Sequence, residues 1–391
     1  MKLSIRGVFS ILTFLTLLAF GILSLYNLAV KNSEGISIGQ RLGGVTSPPS
    51  IEEVNVASFL KGKLQSQVEG KIEDHLPPRP WLIRLNNEIR YSLFHQLDNV
   101  LVGSNGELIE EGYLDEYCHR NIYLFLPQAK AWAAKVKRAQ DLFSNRGQLF
   151  IYLISPSKAS SYPEYFDGYF NCPSPRSQRN GLMRAYREVL DQAGVNYVDG
   201  TAWLMAHRYD YDADLFPRGG IHWSRMAASH TSLDIIDQIQ KQFPTYNTPR
   251  FSISYSYSNA PMDTDSDLAE LANLLFPRTH YPVFDVKLSF PLQVAKVCKP
   301  IGLAMVAGSF GHQIMNSLGE GGCINVDYFY YYSLRLDLAG PQGTASSTPV
   351  PENAFNRLNT DKVIIFEENE DLMTHSNHGK AFFEKILGDS K

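Results

Sequence analysis

The chain reads as an α/β protein: a three-layer arrangement of one parallel sheet with helices on both faces, preceded by one transmembrane helix. Two observations predict this. From about residue 128 onward, helix-period segments alternate with short apolar runs, the pattern that builds a parallel sheet through crossover helices. Ahead of them, an uncharged run from Gly7 to Val30 follows Lys2 and Arg6. At ~1.5 Å per residue it is long enough to cross a ~30 Å hydrocarbon layer.

The elements follow in order. Residues 1–6 form a cytoplasmic tail and 7–30 the anchor. The leading positive charges place the tail inside and everything after Lys31 outside, and no A-x-A-like cleavage site lies near Asn27 to Asn32. Residues 31–52, rich in Gly, Ser and Pro, read as a spacer, and one domain is expected over 53–391. It opens with two helix-period segments, "VASFLKGKLQSQVEGKIEDHL" and "WLIRLNNEIRYSLFHQL", broken by "PPRP". "AKAWAAKVKRAQDLFSN", "RNGLMRAYREVLDQAG" and "SRMAASHTSLDIIDQIQ" read as helices between the strands "QLFIYLIS", "VNYVD" and "IGLAMV". A short helix "GHQIMNSL", strands "CINVDYFYYY" and "KVIIFEE", and a last helix "HGKAFFEKIL" complete the set. Residues 242–266, with the period-two run "SISYSYS", and residues 339–355, with no regular period, interrupt it.

Composition narrows function. The net charge is -4 with both signs mixed, so the basic face that nucleic acid requires is absent. Cys118, Cys172, Cys298 and Cys323 form an even set in what is expected to be an oxidising compartment. A strand before Ser309 and a helix running back from it put Cys298 and Cys323 at the same end of that unit, which leaves Cys118 for Cys172. No C-x-x-C pair occurs, so neither a zinc ribbon nor any other metal site is expected, and no cofactor is called for.

The chemistry centres on "MVAGSFGHQI". Ser309 stands between Gly308 and Gly311 where a strand stops and a helix begins. It is either the N-cap of a tight turn or a nucleophile beside outward-facing N–H groups, with Gly308 part of the oxyanion hole. A serine nucleophile needs a histidine base. His222, in "LFPRGGIHWSRMAA", follows a Pro/Gly loop and precedes a helix capped by Ser224, again at a sheet edge. "AGSFG" nearly spells the elbow of α/β-hydrolases, for which Glu368 or Asp371 with His375 or His378 would complete the set. That ranks second, because no loop brings those histidines back to Ser309.

On these motifs the chain resembles the SGNH-hydrolase-like O-acetyltransferases of bacterial exopolysaccharide modification, the alginate O-acetylation type. The segment ending at Val102 to Tyr113 is similar to that family's opening, "LISPSKASSYPEYF" to its "P.K...YPE" strand end, and "FPRGGIHWSRMAA" to its Asp-x-His-Trp motif. "MVAGSFGHQI" is similar to its Gly-Asp-Ser-Phe motif and "VIIFEENEDLM" to its closing strand. The resemblance implies an SGNH-like fold, a serine acyl-enzyme on Ser309 with His222 as base, an exopolysaccharide acceptor, and a membrane-bound O-acyltransferase that delivers acetyl groups across the inner membrane to a periplasmic domain. Two positions depart from it: Gly220 stands where the family has its acid, and Gly308 where it has Asp. Asp214, with Asp212 beside it, is the expected substitute acid. Arg218 and Trp223 are expected to contact an acidic sugar and to stack on a ring, and Lys158 to bind substrate. A polysaccharide acetylesterase, or a non-catalytic polysaccharide-binding or scaffold member of the same fold, is the alternative.

Overall fold

The computed structural model describes residues 5–29, 42–44, 54–74, 76–167, 172–291, 298–340 and 343–388. Most of the spacer and the first four residues of the tail lie outside them. The chain divides into two compact units, one of residues 1–98 with 269–278, the other of 99–268 with 279–391. The segment 53–391, expected as one domain, has residues in both units.

In the first unit, Ile5–Ala29 is helical, over the expected anchor. Its apolar side chains, Phe14 and Leu17 among them, are exposed, and side chains are described only from Ser10 to Leu23 and at Tyr26. Among the described residues no helix is long and apolar enough to cross a membrane. Helices Lys63–Asp74 and Arg79–Phe94 flank the predicted proline break. The carboxylate of Glu88 accepts bonds from Ser92, the Phe276 N–H and Arg278, which ties residues 269–278 to this unit.

The second unit opens with an antiparallel pair, β1 (Val100–Val102) and β2 (Leu108–Glu110). Its main strands are β3 (Leu149–Ser155) and β4 (Tyr197–Asp199). A separate antiparallel ribbon follows, β5 (Ser252–Ser258) with β6 (Val283–Ser289). Then come β7 (Ile301–Ala307), β8 (Ile324–Tyr330), β9 (Arg335–Ala339), β10 (Ala345–Ser347) and β11 (Val363–Asn369). One seven-stranded sheet runs in the order β10-β9-β8-β7-β11-β3-β4.

All five predicted strands are present and mutually parallel. The sheet is nevertheless mixed, because β9 and β10 add antiparallel at one edge. The cause is the short turn after Tyr330, where Tyr331 and Tyr332 take positive φ (44° and 67°): a connection this tight joins only antiparallel neighbours.

Strand alternation divides the core. Phe150, Tyr152, Val306, Ile364 and Phe366 lie in one cluster with side chains of helices Ile122–Ser144, Arg176–Ala193 and Asn377–Leu387. Their neighbours in the strands, such as Ile151, Leu153 and Met305, are equally buried and point the other way. Helices Arg225–Gln242 and His312–Gly319 cover that face, linked by a Ser229–Ser317 hydroxyl pair. Helices on both faces bury β11 along its whole length. Disulfides join Cys118 to Cys172 and Cys298 to Cys323, the pairing expected from the strand-and-helix unit around Ser309.

Candidate active site

β7 ends at Ala307, and after the extended Gly308 a single tight turn, Ser309–Gly311, opens into helix His312–Gly319. Gly311 is required by close approach: a Cβ there would stand 2.7 Å from the Ala307 Cβ and 2.9 Å from the Met305 Cε. The turn therefore presses onto the sheet and leaves Ser309 raised at the carboxyl end of the strand, where ligands of open α/β sheets bind. Its Oγ lies 2.8 Å from His222 Nε2.

His222 is held by its neighbours. The Trp223 indole is fully buried and its Nε1–H donates to the Phe310 carbonyl at 3.0 Å, stitching the histidine loop to the nucleophile turn. Ser224 caps the next helix at Ala227. The loop's underside is gathered by Lys158, whose buried ammonium donates to the carbonyls of Pro217 (2.8 Å), Arg218 (3.1 Å), Gly220 (3.1 Å) and Leu108 (2.9 Å). The buried Glu107 balances its charge at 3.0 Å.

The third member comes from elsewhere. Asp267 Oδ2 contacts His222 Nδ1, while its Oδ1 accepts the N–H groups of Ile221 (2.9 Å) and Leu268 (2.8 Å). An ionised carboxylate only accepts, so the ring hydrogen belongs on Nδ1 and Nε2 keeps a lone pair toward the Ser309 hydroxyl. Gly220 explains the exchange. A Cβ at 220 would sit 2.3 Å from the Thr264 carbonyl oxygen and 3.3 Å from Asp265 backbone atoms. The space a side chain at 220 would fill is occupied by the segment that delivers Asp267. Sequence reasoning missed Asp267 because 45 residues separate it from His222, and "DTDSDLAE" reads as solvated turn acids.

Several expected site residues stand elsewhere. Asp214 accepts the Tyr165 hydroxyl at 3.1 and 3.2 Å rather than meeting His222. Burial, with Glu107 adding repulsion, raises its pKa to about 6. Asp212 is exposed. Trp223 cannot stack on a sugar because it is core, and Lys158, wholly enclosed, cannot reach substrate. Arg218 lies 3.7 Å from Glu107 and over the Tyr281 ring at 5.6 Å, with its side chain still half-exposed. The Gly308 N–H is spent on Glu367 Oε2 at 2.9 Å and is not free for an oxyanion. Glu367 is fully enclosed, and burial raises its pKa to about 7 against the hydrogen bonds from Ser155 and Gly308. Glu368, His375 and His378 bond to Tyr152, to the Met373 carbonyl and to the Glu367 carbonyl respectively, so the alternative hydrolase set does not assemble at Ser309. Among the described residues no group of side chains could hold a metal ion.

A cavity of about 570 Å³ adjoins the site, lined by Arg225, Thr264, Asp265, Phe284, His312 and Gln313 among others. Arg225, Thr264 and His312 each lie three residues from a member of the Ser309–His222–Asp267 relay. Burial and the neighbouring Asp267 raise the Asp265 pKa to about 7.

Residues 123–284 match the family model for the SGNH hydrolase-like acetyltransferase domain of AlgX. Over this stretch the chain is similar to that acetyltransferase domain. Among solved structures, the domain is similar to the O-acetyltransferase domain of Pseudomonas putida AlgJ, with 17% identity, 71% of this chain and 94% of that one covered, and a TM-score of 0.47. Pseudomonas aeruginosa AlgX follows with 12% identity, 73% and 65% coverage and a TM-score of 0.46. Bacillus cereus PatB1 with a sulfonyl adduct has 10% identity, 73% and 98% coverage and a TM-score of 0.43. The sequence matches no curated protein. The matched residues include His222 and Asp267 but stop short of Ser309.

Proposed function

We propose that the chain is a membrane-anchored, extracytoplasmic O-acetyltransferase that modifies an exopolysaccharide through an acetyl ester on Ser309. The observation that carries this reading is the continuous relay Asp267–His222–Ser309, assembled from three separate segments at the carboxyl edge of the sheet. His222 Nε2 takes the Ser309 proton as Oγ attacks the donor's acetyl carbonyl, and the leaving group departs with that proton. An acceptor hydroxyl then gives its proton to Nε2, attacks the ester carbonyl and leaves acetylated, freeing Ser309. Asp267 holds the ring and stabilises the imidazolium formed in each half. The N–H groups of Ser309 and Phe310, in the first turn of the helical segment and so without an intrahelical acceptor, are the donors for the oxyanion.

The acid lost at position 220 was the reason to consider a non-catalytic scaffold, and a carboxylate in its place at Nδ1 weighs against that. The uncharged run from Gly7 to Val30 is what supports the proposal of an N-terminal anchor in the inner membrane. The catalytic unit then faces the periplasm and receives acetyl groups from a membrane-bound O-acyltransferase. The test is incubation with p-nitrophenyl acetate and intact-mass analysis: acetyl appears on Ser309 and is absent from Ser309→Ala. Acetyl transfer to added oligosaccharide separates a transferase from an acetylesterase, and no ester in the unsubstituted chain sinks the reading.

A further inference from the structure

Five arginines line a second cavity, of about 380 Å³: Arg120, Arg179, Arg184, Arg187 and Arg208. One wall is helix Arg176–Ala193, where Asn180, Met183, Arg184 and Arg187 recur at the spacing that puts them on one face. Helix Gly200–His207 gives Thr201 and Met205 to the opposite wall, and Glu370 is the one carboxylate in the lining.

The charges do not cancel. Arg120 is satisfied by Glu116 and by Glu370, and Arg187 by Asp199 with Thr201. Arg179, Arg184 and Arg208 have no carboxylate partner among the described residues. Arg208 donates to the Ser161 carbonyl and lies over the Tyr209 ring at 4.5 Å. Arg179 is the sharpest case. It is 8% exposed, its guanidinium packs over Tyr117 at 5.0 Å, and its buried Nε–H has no hydrogen-bond partner. Among the described residues its guanidinium makes one hydrogen bond, from Nη1 to the Cys172 sulfur at 3.3 Å, a weak acceptor. Burying an unsatisfied charged donor is costly, so such a group calls for an anionic acceptor.

We infer that this cavity binds an anionic sugar residue, its carboxylate or phosphate held by Arg179, Arg184 and Arg208 and its ring against Met183 and Met205. Guanidinium forks match both anions, and the volume falls within the range of small-ligand sites. Ser160 follows β3, Thr201 follows β4 and Glu370 follows β11, so the cavity lies along the same carboxyl edge as Ser309. At ~4.8 Å per strand its walls lie one to three strands away, roughly 5–15 Å, a separation that a few sugar units of one polymer span.

The test uses the Ser309→Ala chain, so that its outcome is independent of any acyl chemistry. Binding of trigalacturonate, glucose 6-phosphate, inorganic phosphate and the neutral trimer maltotriose is measured by calorimetry at low and high salt. Saturable binding of trigalacturonate or glucose 6-phosphate is expected, and whichever binds identifies the source of the anion. Affinity should fall about tenfold or more in Arg184→Gln and in Arg208→Gln, and should weaken with salt. Arg184 is exposed and has no ion-pair partner among the described residues, so its variant keeps the fold. Maltotriose binding as tightly as the charged sugars, undiminished affinity in both variants, or inorganic phosphate alone binding would each overturn the assignment.

Discussion

Replacing Asp267 by Asn tests the relay at its least expected member. In Asp267→Asn the amide oxygen keeps the N–H groups of Ile221 and Leu268, now at 2.9 and 2.8 Å, so the local backbone holds. The amide NH₂ then faces His222 Nδ1 and donates to it. That drives the ring hydrogen to Nε2, where it points at Ser309 Oγ across the 2.8 Å contact, and the base has lost the lone pair it needs. Wrong-tautomer substitutions of this kind lower turnover about 10⁴-fold, ~5.5 kcal/mol of transition-state stabilisation. The assay is the burst of p-nitrophenol from p-nitrophenyl acetate, with acetyl-Ser309 followed by mass and folding checked by circular dichroism. Asp214→Asn is the control: its carboxyl meets Tyr165, and the acylation rate should stay within about tenfold of the parent. A folded Asp267→Asn chain that acylates within about tenfold of the parent, or an Asp214→Asn chain that loses as much, would refute the assignment.

Other substitutions test the surroundings. Gly220→Asp, which restores the family's acid, should lower both the melting temperature and the acylation rate, because its Cβ would meet the Thr264 carbonyl oxygen at 2.3 Å; such overpacking costs ~1–3 kcal/mol. Lys158→Met leaves the buried Glu107 with only Arg218, at 3.7 Å, as counter-charge and should cost up to ~3–5 kcal/mol in urea unfolding, with part of that recovered in the double variant with Glu107→Gln. Glu367 has a folded pKa of about 7 against an ordinary 4.5, so the folded state holds its proton longer. Stability should therefore fall as pH rises through that window, and Glu367→Gln should remove this part of the slope, leaving the variant more stable than the parent at pH 8 by an amount on the order of 3 kcal/mol; denaturant curves at pH 5 and pH 8 measure it.

The parts legible in the sequence were those whose signal is local. β3, β7 and β11 are apolar runs bounded by polar turns, and both faces of each are buried. Cys298 and Cys323 flank one strand-and-helix unit, so their proximity follows from the unit itself. Ser309 and His222 each sit in a short motif whose glycine or proline neighbours mark a turn. Illegible were features that depend on which segment lies against which. Lys158 reads as a solvated cation, yet three carbonyls of the histidine loop, one of β2 and one carboxylate enclose it. β9 carries Arg335 and Asp337 beside apolar residues, and only its turn from β8 makes it a strand of the sheet.

The exchange of acids has a mechanical consequence. With an acid at position 220, the histidine and its orienting group would travel on one loop, independent of the surface around them. Here the orienting carboxylate arrives with residues 263–267, and that same segment supplies Asp263, Thr264 and Asp265 to the wall of the 570 Å³ cavity. Gln313, on the helix that begins at the nucleophile turn, donates to the Thr264 hydroxyl at 2.6 Å. A ligand that pushes on this wall therefore pushes on the residue that sets the tautomer of His222. Gln313→Ala cuts the tie between the nucleophile's helix and the acid's segment without touching the relay. If the segment needs that tie to hold Asp267 against Nδ1, the variant should lose acylation rate with p-nitrophenyl acetate, whose binding needs little of the cavity. If the tie serves only to shape the cavity, acylation stays unchanged while transfer to an oligosaccharide acceptor falls.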